Sequence, residues 1–142
     1  MIKIMTIEDY ERVYTLWSGT KGMGLRSIDD SKEGIERFLR RNPSTCFLAE
    51  ADGEVIGAII CGHDGRRGYI YHTAVKENLR GQGIGKQLAD KACEALKAEG
   101  ITRCGLFVFA ENKGGKDFWL SQGWVTRPDL VYFNLPLHSE NK

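Results

Sequence analysis

Apolar and polar positions along the chain repeat with two different periods, and the places where the period changes mark out the elements. Ile2 and Ile4 flank Lys3, the alternation of a short opening strand. Thr6-Ile7-Glu8-Asp9 has the form of a capping box, in which a hydroxyl and a carboxylate satisfy the first free amides of a helix. Behind it Tyr10, Val13, Tyr14 and Trp17 fall at helical spacing, so one stripe of that helix is apolar. Residues 18–24 carry three glycines and read as a loop. A second helix begins at about Asp30, buries Ile35, Phe38 and Leu39, and stops at Asn42-Pro43. From Cys46 the period is that of strands: 46–50 and 55–61, joined by a turn at 51–54, then a tight turn at 63–66 and a third strand over 69–75. Connections this short make the three strands antiparallel neighbours.

After Arg80-Gly81-Gln82-Gly83-Ile84-Gly85 the helical period returns, with Ile84, Leu88, Ala92, Ala95 and Leu96 on one stripe and Gly100 as the stop. Residues 104–109 predict a buried strand, parallel to the one before the helix. A short helix from Asn112 to Gln122 ends at Gly123. Residues 124–126 and 130–135, with a turn at Arg127-Pro128-Asp129, are expected to close the sheet. The pattern as a whole predicts one α/β domain over residues 1–142. Its expected core is a mixed, mostly antiparallel sheet of six or seven strands with helices on both faces.

Composition narrows the function classes. Twenty basic and 19 acidic side chains leave a formal charge of +1 in 142 residues, so no strong field points to nucleic acid or a membrane surface. No stretch approaches the roughly 20 apolar residues of a membrane helix. The start turns acidic too early for a signal peptide. Cys46, Cys61, Cys93 and Cys104 form no CxxC pair, and with His63, His72 and His138 scattered they fit no metal template. A cytoplasmic protein with free thiols and no metal is expected.

The glycine-rich segment is the most informative stretch. Glycines at 81, 83 and 85, after a strand and at a helix start, let successive backbone N–H groups point into one concavity, where the helix dipole adds to them. Arg80 and Lys86 add positive charge at the rim. The ligand implied is a phosphate or pyrophosphate. The dinucleotide fingerprint fails because Lys86 stands where its third glycine belongs, and the P-loop fails because Arg80 and Gln87 occupy its glycine and hydroxyl positions.

Arg80-Gly81-Gln82-Gly83-Ile84-Gly85 resembles the (Q/R)xxGx(G/A) pyrophosphate signature of the GNAT acetyltransferases. Thr73-Ala74-Val75 is similar to that family's strand segment whose backbone pairs with the pantetheine arm of acetyl-CoA. Residues 112–119 resemble its NxxAxxFY segment, and Gly123-Trp124 its glycine–aromatic pair. The resemblance covers nearly the whole chain in order. It implies acetyl-CoA as co-substrate, held by Thr73, Ala74, Val75, Arg80, Gly81, Gln82, Gly83, Ile84, Gly85, Lys86, Asn112 and Trp119. It further implies direct attack by a primary amine, small-molecule or peptide, on the thioester carbonyl. A homodimer is compatible with it.

Two departures bear on the chemistry. Trp119 stands where the family has the tyrosine that protonates the departing thiolate, and indole supplies no proton. Gly115 replaces the motif's alanine. The base that relieves the amine of its proton is expected on the third strand, at Tyr71, which can order a water, or at His72. Asp29, Asp30 and Glu33 lie near the segment that borders the acceptor in relatives. They suit a cationic amine or a solvated acidic surface. An alternative class, suggested by Trp119, is a module that binds acyl-CoA without efficient turnover.

Overall fold

The computed structural model describes residues 1–142, and its core is a five-stranded sheet in the order β1-β2-β3-β4-β5. The strands are β1 (Ile2–Ile4), β2 (Phe47–Ala51), β3 (Glu54–His63), β4 (Gly68–Val75) and β5 (Cys104–Leu106). The first four pair antiparallel, and β5 runs parallel to β4. The β2–β3 hairpin turns on two residues, Asp52 and Gly53, both at positive φ, which matches the right-handed twist of the strands it joins. In the next turn Asp64 Oδ1 accepts from the amides of Arg66 and Arg67, the side-chain substitute for a backbone turn that aspartate provides.

Helices cover both faces. On one lie α1 (Tyr10–Ser18) and α2 (Lys32–Arg41), which bury Val13, Leu16, Trp17, Ile35 and Leu39 against Leu48, Ala58 and Ile60 of the sheet. The buried stripe of α1 runs through Leu16, leaving Tyr14 exposed, so it is rotated slightly from the expected Tyr10–Tyr14 line. On the other face α3 (Ile84–Ala98) sets Leu88, Ala89, Ala92 and Leu96 against Phe47, Ile59, Cys61 and Ile70. The last helix, α4 (Lys113–Ser121), adds Trp119 to that second core. α2 starts two residues later than expected because Ser31 caps it, its hydroxyl accepting from Gly34 N at 3.0 Å. No helix is long and apolar enough to cross a membrane.

The C-terminal third differs from the sequence expectation. β5 is three residues long, and Phe107 and Phe109 beyond it are exposed. Residues 124–126 and 130–135 form no ladder, so the sheet has five strands where six or seven were expected. A three-residue edge offers few backbone groups for a further strand to pair with. The chain end is also held elsewhere: Ser27 Oγ donates to Glu140 O, and Asn141 Oδ1 accepts from the amides of Ile28 and Asp29. The expected turn at 127–129 is present, closed by the Arg127–Asp129 ion pair.

Candidate functional site

Two irregularities in β4 build the site. The first is a bulge: Ile60 pairs with His72 and Cys61 with Ile70, so Tyr71 is left over in the ladder. Strict alternation would put Ile70 and His72 on one face. The bulge separates them. Ile70 joins the core under α3, and His72 turns to the α1 side, where its ring meets Trp17 edge-on at 5.0 Å. The second is the early end of β5. β4 has a parallel partner only as far as Ile70, so the strands splay and residues 71–75 present their backbone to an open cleft of about 1340 Å³.

At one end of the cleft is the start of α3. Gly83 is its N-cap, at φ +83°, a left-handed conformation that costs other residues about 1–2 kcal/mol. A Cβ there would meet nothing within 4 Å, so the space above the backbone is open. Gly85 is different: a Cβ on it would come within 3.1 Å of the Phe118 ring, and glycine there lets α4 pack against α3. The Arg80 amide donates to Glu77 O and the Gln87 amide to Gly83 O, but the six amides from 81 to 86 have no acceptor in the chain. Arg80 Nε donates to Val75 O at 3.1 Å, which anchors that side chain to the end of β4, and Lys86 pairs with Asp90. Six free donors at a helix N-terminus are an arrangement that suits an anion.

The middle of the cleft is walled by β4 and α4. Thr73 Oγ1 is buried with no hydrogen-bond partner, an orphaned polar atom that a ligand laid along β4 would satisfy. Asn112 caps α4, its Oδ1 accepting from Gly115 N at 2.9 Å. A Cβ on residue 115 would lie 2.7 Å from Asn112 Nδ2, so glycine in place of alanine accommodates the cap. Trp119 is buried and packs edge-on between Phe118 and Trp124 at 4.9 and 5.1 Å.

At the far end His72 Nε2 lies 2.7 Å from Asp30 Oδ1, with Asp30 buried and His72 partly so. Asp30 is itself fixed. Its Oδ2 accepts from Arg26 N at 2.6 Å, and its carbonyl accepts from the Tyr10 hydroxyl at 2.7 Å. With Nε2–H donated to the carboxylate, His72 Nδ1 carries the free lone pair, and that atom has no partner in the chain. Tyr71 is exposed and stacks edge-on with Phe38 of α2 at 5.5 Å. Desolvation, and beyond it the neighbouring Tyr69, push the Tyr71 phenol above its usual range, so it stays protonated. Cys46 and Cys61 lie outside the cleft, and burial pushes the Cys46 thiol up to about 12.

Of the residues singled out from sequence, Tyr71, His72, Thr73, Ala74, Val75, Arg80, Gly81, Gly83, Ile84, Gly85, Lys86, Asn112 and Trp119 line this one cleft, while Gln82 does not. The bond from Asp30 to His72 is what the sequence reading missed. It depends on the bulge at Tyr71, for which nothing in the residue pattern gives a signal.

Comparison with known proteins gives a concordant picture. The model of the family described as acetyltransferase (GNAT) matches residues 8–124. A curated protein named acetyltransferase from Sodalis glossinidius is 36% identical over 111 residues, 78% of this chain and 77% of that one. Among solved structures, Ard1 from Thermoplasma volcanium superposes with a TM-score of 0.77 at 21% identity, covering 88% of this chain and 82% of that one. The PaiA N-acetyltransferase from Thermoplasma acidophilum, in complex with coenzyme A, gives 0.72 at 24% identity over 85% and 86%.

Proposed function

Because the chain belongs to the acetyltransferase (GNAT) family, we propose that it transfers the acetyl group of acetyl-CoA to a primary amine by direct attack, within one domain over residues 1–142. The observation that carries this reading is the run of six unpartnered amides from Gly81 to Lys86 at the mouth of α3. They suit a pyrophosphate, with Arg80 and Lys86 at its rim and Gln82 contributing through its backbone alone. The splayed segment Thr73–Val75 offers backbone donors and acceptors to the two amides of a pantetheine arm, and Thr73 Oγ1 a further polar partner. Trp119 and Asn112 face the same passage. The solved relative with coenzyme A supports the same ligand class. The four unbridged cysteines suit a reducing cytoplasm.

Acetyl-CoA supplies the activated acyl group; the chain supplies position and proton traffic. An alkylamine is protonated at neutral pH, with a pKa of about 10.4 for lysine, so a base must hold its proton before attack. His72 fills that role through Nδ1. Its tautomer is set by Asp30, and because Nδ1 is itself buried the proton must be relayed to it, a task for which a water ordered by the Tyr71 hydroxyl is the candidate. Backbone N–H groups of β4 past the splay are the donors available to the thioester oxygen as it gains charge. Trp119 supplies packing. The thiolate leaves without an acid, since a thiol of pKa about 8.5 is a fair leaving group and water protonates it afterwards.

The test is release of CoA thiol from acetyl-CoA across a panel of primary amines. The reading expects amine-dependent release by the wild-type protein and loss of nearly all of it in Gly83→Glu, while Gly83→Ala, which carries the backbone strain without the charge, keeps a measurable rate. Equal rates in Gly83→Glu and wild type would remove the glycine nest from the mechanism.

A further inference from the structure

The acceptor end of the cleft carries positive charge that no direct ion pair in the chain neutralises. Arg26, in the segment before α2, and Arg37 and Arg41, on α2, all line it, and none of the three guanidinium groups makes an ion pair or a hydrogen bond within the chain. The nearby acids are already engaged, and Asp64, whose carboxyl feels the Arg41 charge, accepts from the amides of Arg66 and Arg67. Asp30 is taken by His72 and the Arg26 amide, and Asp29 Oδ2 accepts from Asn141 Nδ2 at 2.8 Å. Glu36 pairs with Arg40, a neighbour that does not line the cleft. Glu33, one turn before Arg37, makes no pair with it. Of the acidic side chains that suggested a cationic acceptor, Asp29 and Asp30 are therefore spent and Glu33 does not line the cleft, while the cations do.

Their placement is specific. Arg37 and Arg41 are four residues apart, one turn of helix, so they share a face and repel one another unless an anion lies between them. The same stretch of α2 presents Phe38, whose ring meets Tyr71 at 5.5 Å, and Tyr71 in turn lies 6.4 Å from Tyr69. Across the cleft Phe107 and Tyr132 stack at 4.4 Å. An acceptor that leads its amine toward His72 thus crosses an aromatic surface and ends against two guanidinium groups. A planar, forked donor of this kind matches a carboxylate. A polycationic amine would meet the same arginines as repulsion.

We infer that the acceptor is an amine that also carries a carboxylate, with an apolar portion between, and that Arg37 and Arg41 are the residues selecting it. This rests on the acetyl-transfer reading above. It deepens that reading by assigning the substrate's second functional group.

The experiment compares matched amines that differ only by the carboxylate: phenylalanine with 2-phenylethylamine, lysine with cadaverine, and 6-aminohexanoate with pentylamine. Thiol release gives kcat/KM for each, and calorimetry gives acetyl-CoA affinity separately. The wild type is expected to prefer the carboxylated member by about tenfold or more, the scale of a charge-assisted contact. In the R37Q/R41Q variant the preference falls to near one through a higher KM. Both arginines are exposed, so the variant is expected to fold, and circular dichroism checks it. A wild-type preference for the simple amines, or a preference that survives in R37Q/R41Q, overturns the inference. So does tight acetyl-CoA binding with turnover of no carboxylated amine. Failure to bind acetyl-CoA at all strikes the acetyl-transfer reading instead.

Discussion

His72 and Asp30 show how one contact can set which nitrogen of an imidazole holds its proton. An imidazole has two nitrogens, and only the one left without a proton can accept one. The 2.7 Å bond to Asp30 Oδ1 assigns the proton to Nε2 and the lone pair to Nδ1. Replacing His72 by glutamine keeps the bulk and a polar end but removes the base. We expect kcat to fall about a hundredfold with acetyl-CoA affinity nearly unchanged. Asp30→Asn keeps the imidazole and loses the fixed tautomer, so its kcat falls less, about tenfold. The distinguishing readout is the acceptor. A weakly basic amine arrives already deprotonated, so the His72→Gln defect shrinks for it, whereas damage that is merely structural would persist across all amines. His72 could be named from sequence as one of two candidates. Its partner could not, because strict strand alternation turns the ring to the opposite face, and only the unpaired Tyr71 reverses that.

Elements whose own sequence carries their start and stop signals were the legible ones. The β2–β3 hairpin, the stripe of α3 and its stop at Gly100 follow from local chemistry, and so does the capped 3-10 turn at Ile7–Asp9 that leads into α1. There Thr6 N donates to Asp9 Oδ2 at 2.9 Å, and Lys3 and Arg12 close on Asp9 Oδ1. Desolvation alone would raise the Asp9 carboxyl. The Thr6 amide and the Arg12 and Lys3 side chains outweigh it and hold the group below its usual range. A depressed folded-state value means that stability is fully present above the unfolded value, near 3.8, and is lost as pH falls through the folded one. Asp9→Asn is therefore expected to cost about 1–3 kcal/mol at neutral pH and to flatten the acid limb of denaturant midpoint against pH. An unchanged acid limb would show that another carboxylate governs it. The C-terminal strands were illegible for the opposite reason. Residues 130–135 have the composition of a strand, but a strand exists only with a partner edge, and β5 stops at Leu106. The end of the chain is held instead by Ser27, Ile28 and Asp29, three residues that bear no local mark of that contact.

At the scale of the whole molecule, one cleft joins three features drawn from distant parts of the chain: the amide nest of residues 81–86, the splayed edge of β4, and the segment before α2 that holds Asp30. The nest could be read from three glycines in six residues. The splay needed the length of β5, and the third feature needed the tie between residues 27–29 and the chain end. The glycine nest that we propose holds the cofactor was thus largely visible in the residue pattern, and the Asp30–His72 end of the cleft was not. The central claim is that the nest binds the pyrophosphate of acetyl-CoA, and isothermal titration calorimetry tests it most directly. The account predicts saturable binding of acetyl-CoA at one site per chain, far weaker binding of NAD and ATP, and loss of the acetyl-CoA signal in folded Gly83→Glu. NAD binding more tightly than acetyl-CoA, or unchanged acetyl-CoA affinity in folded Gly83→Glu, would contradict it.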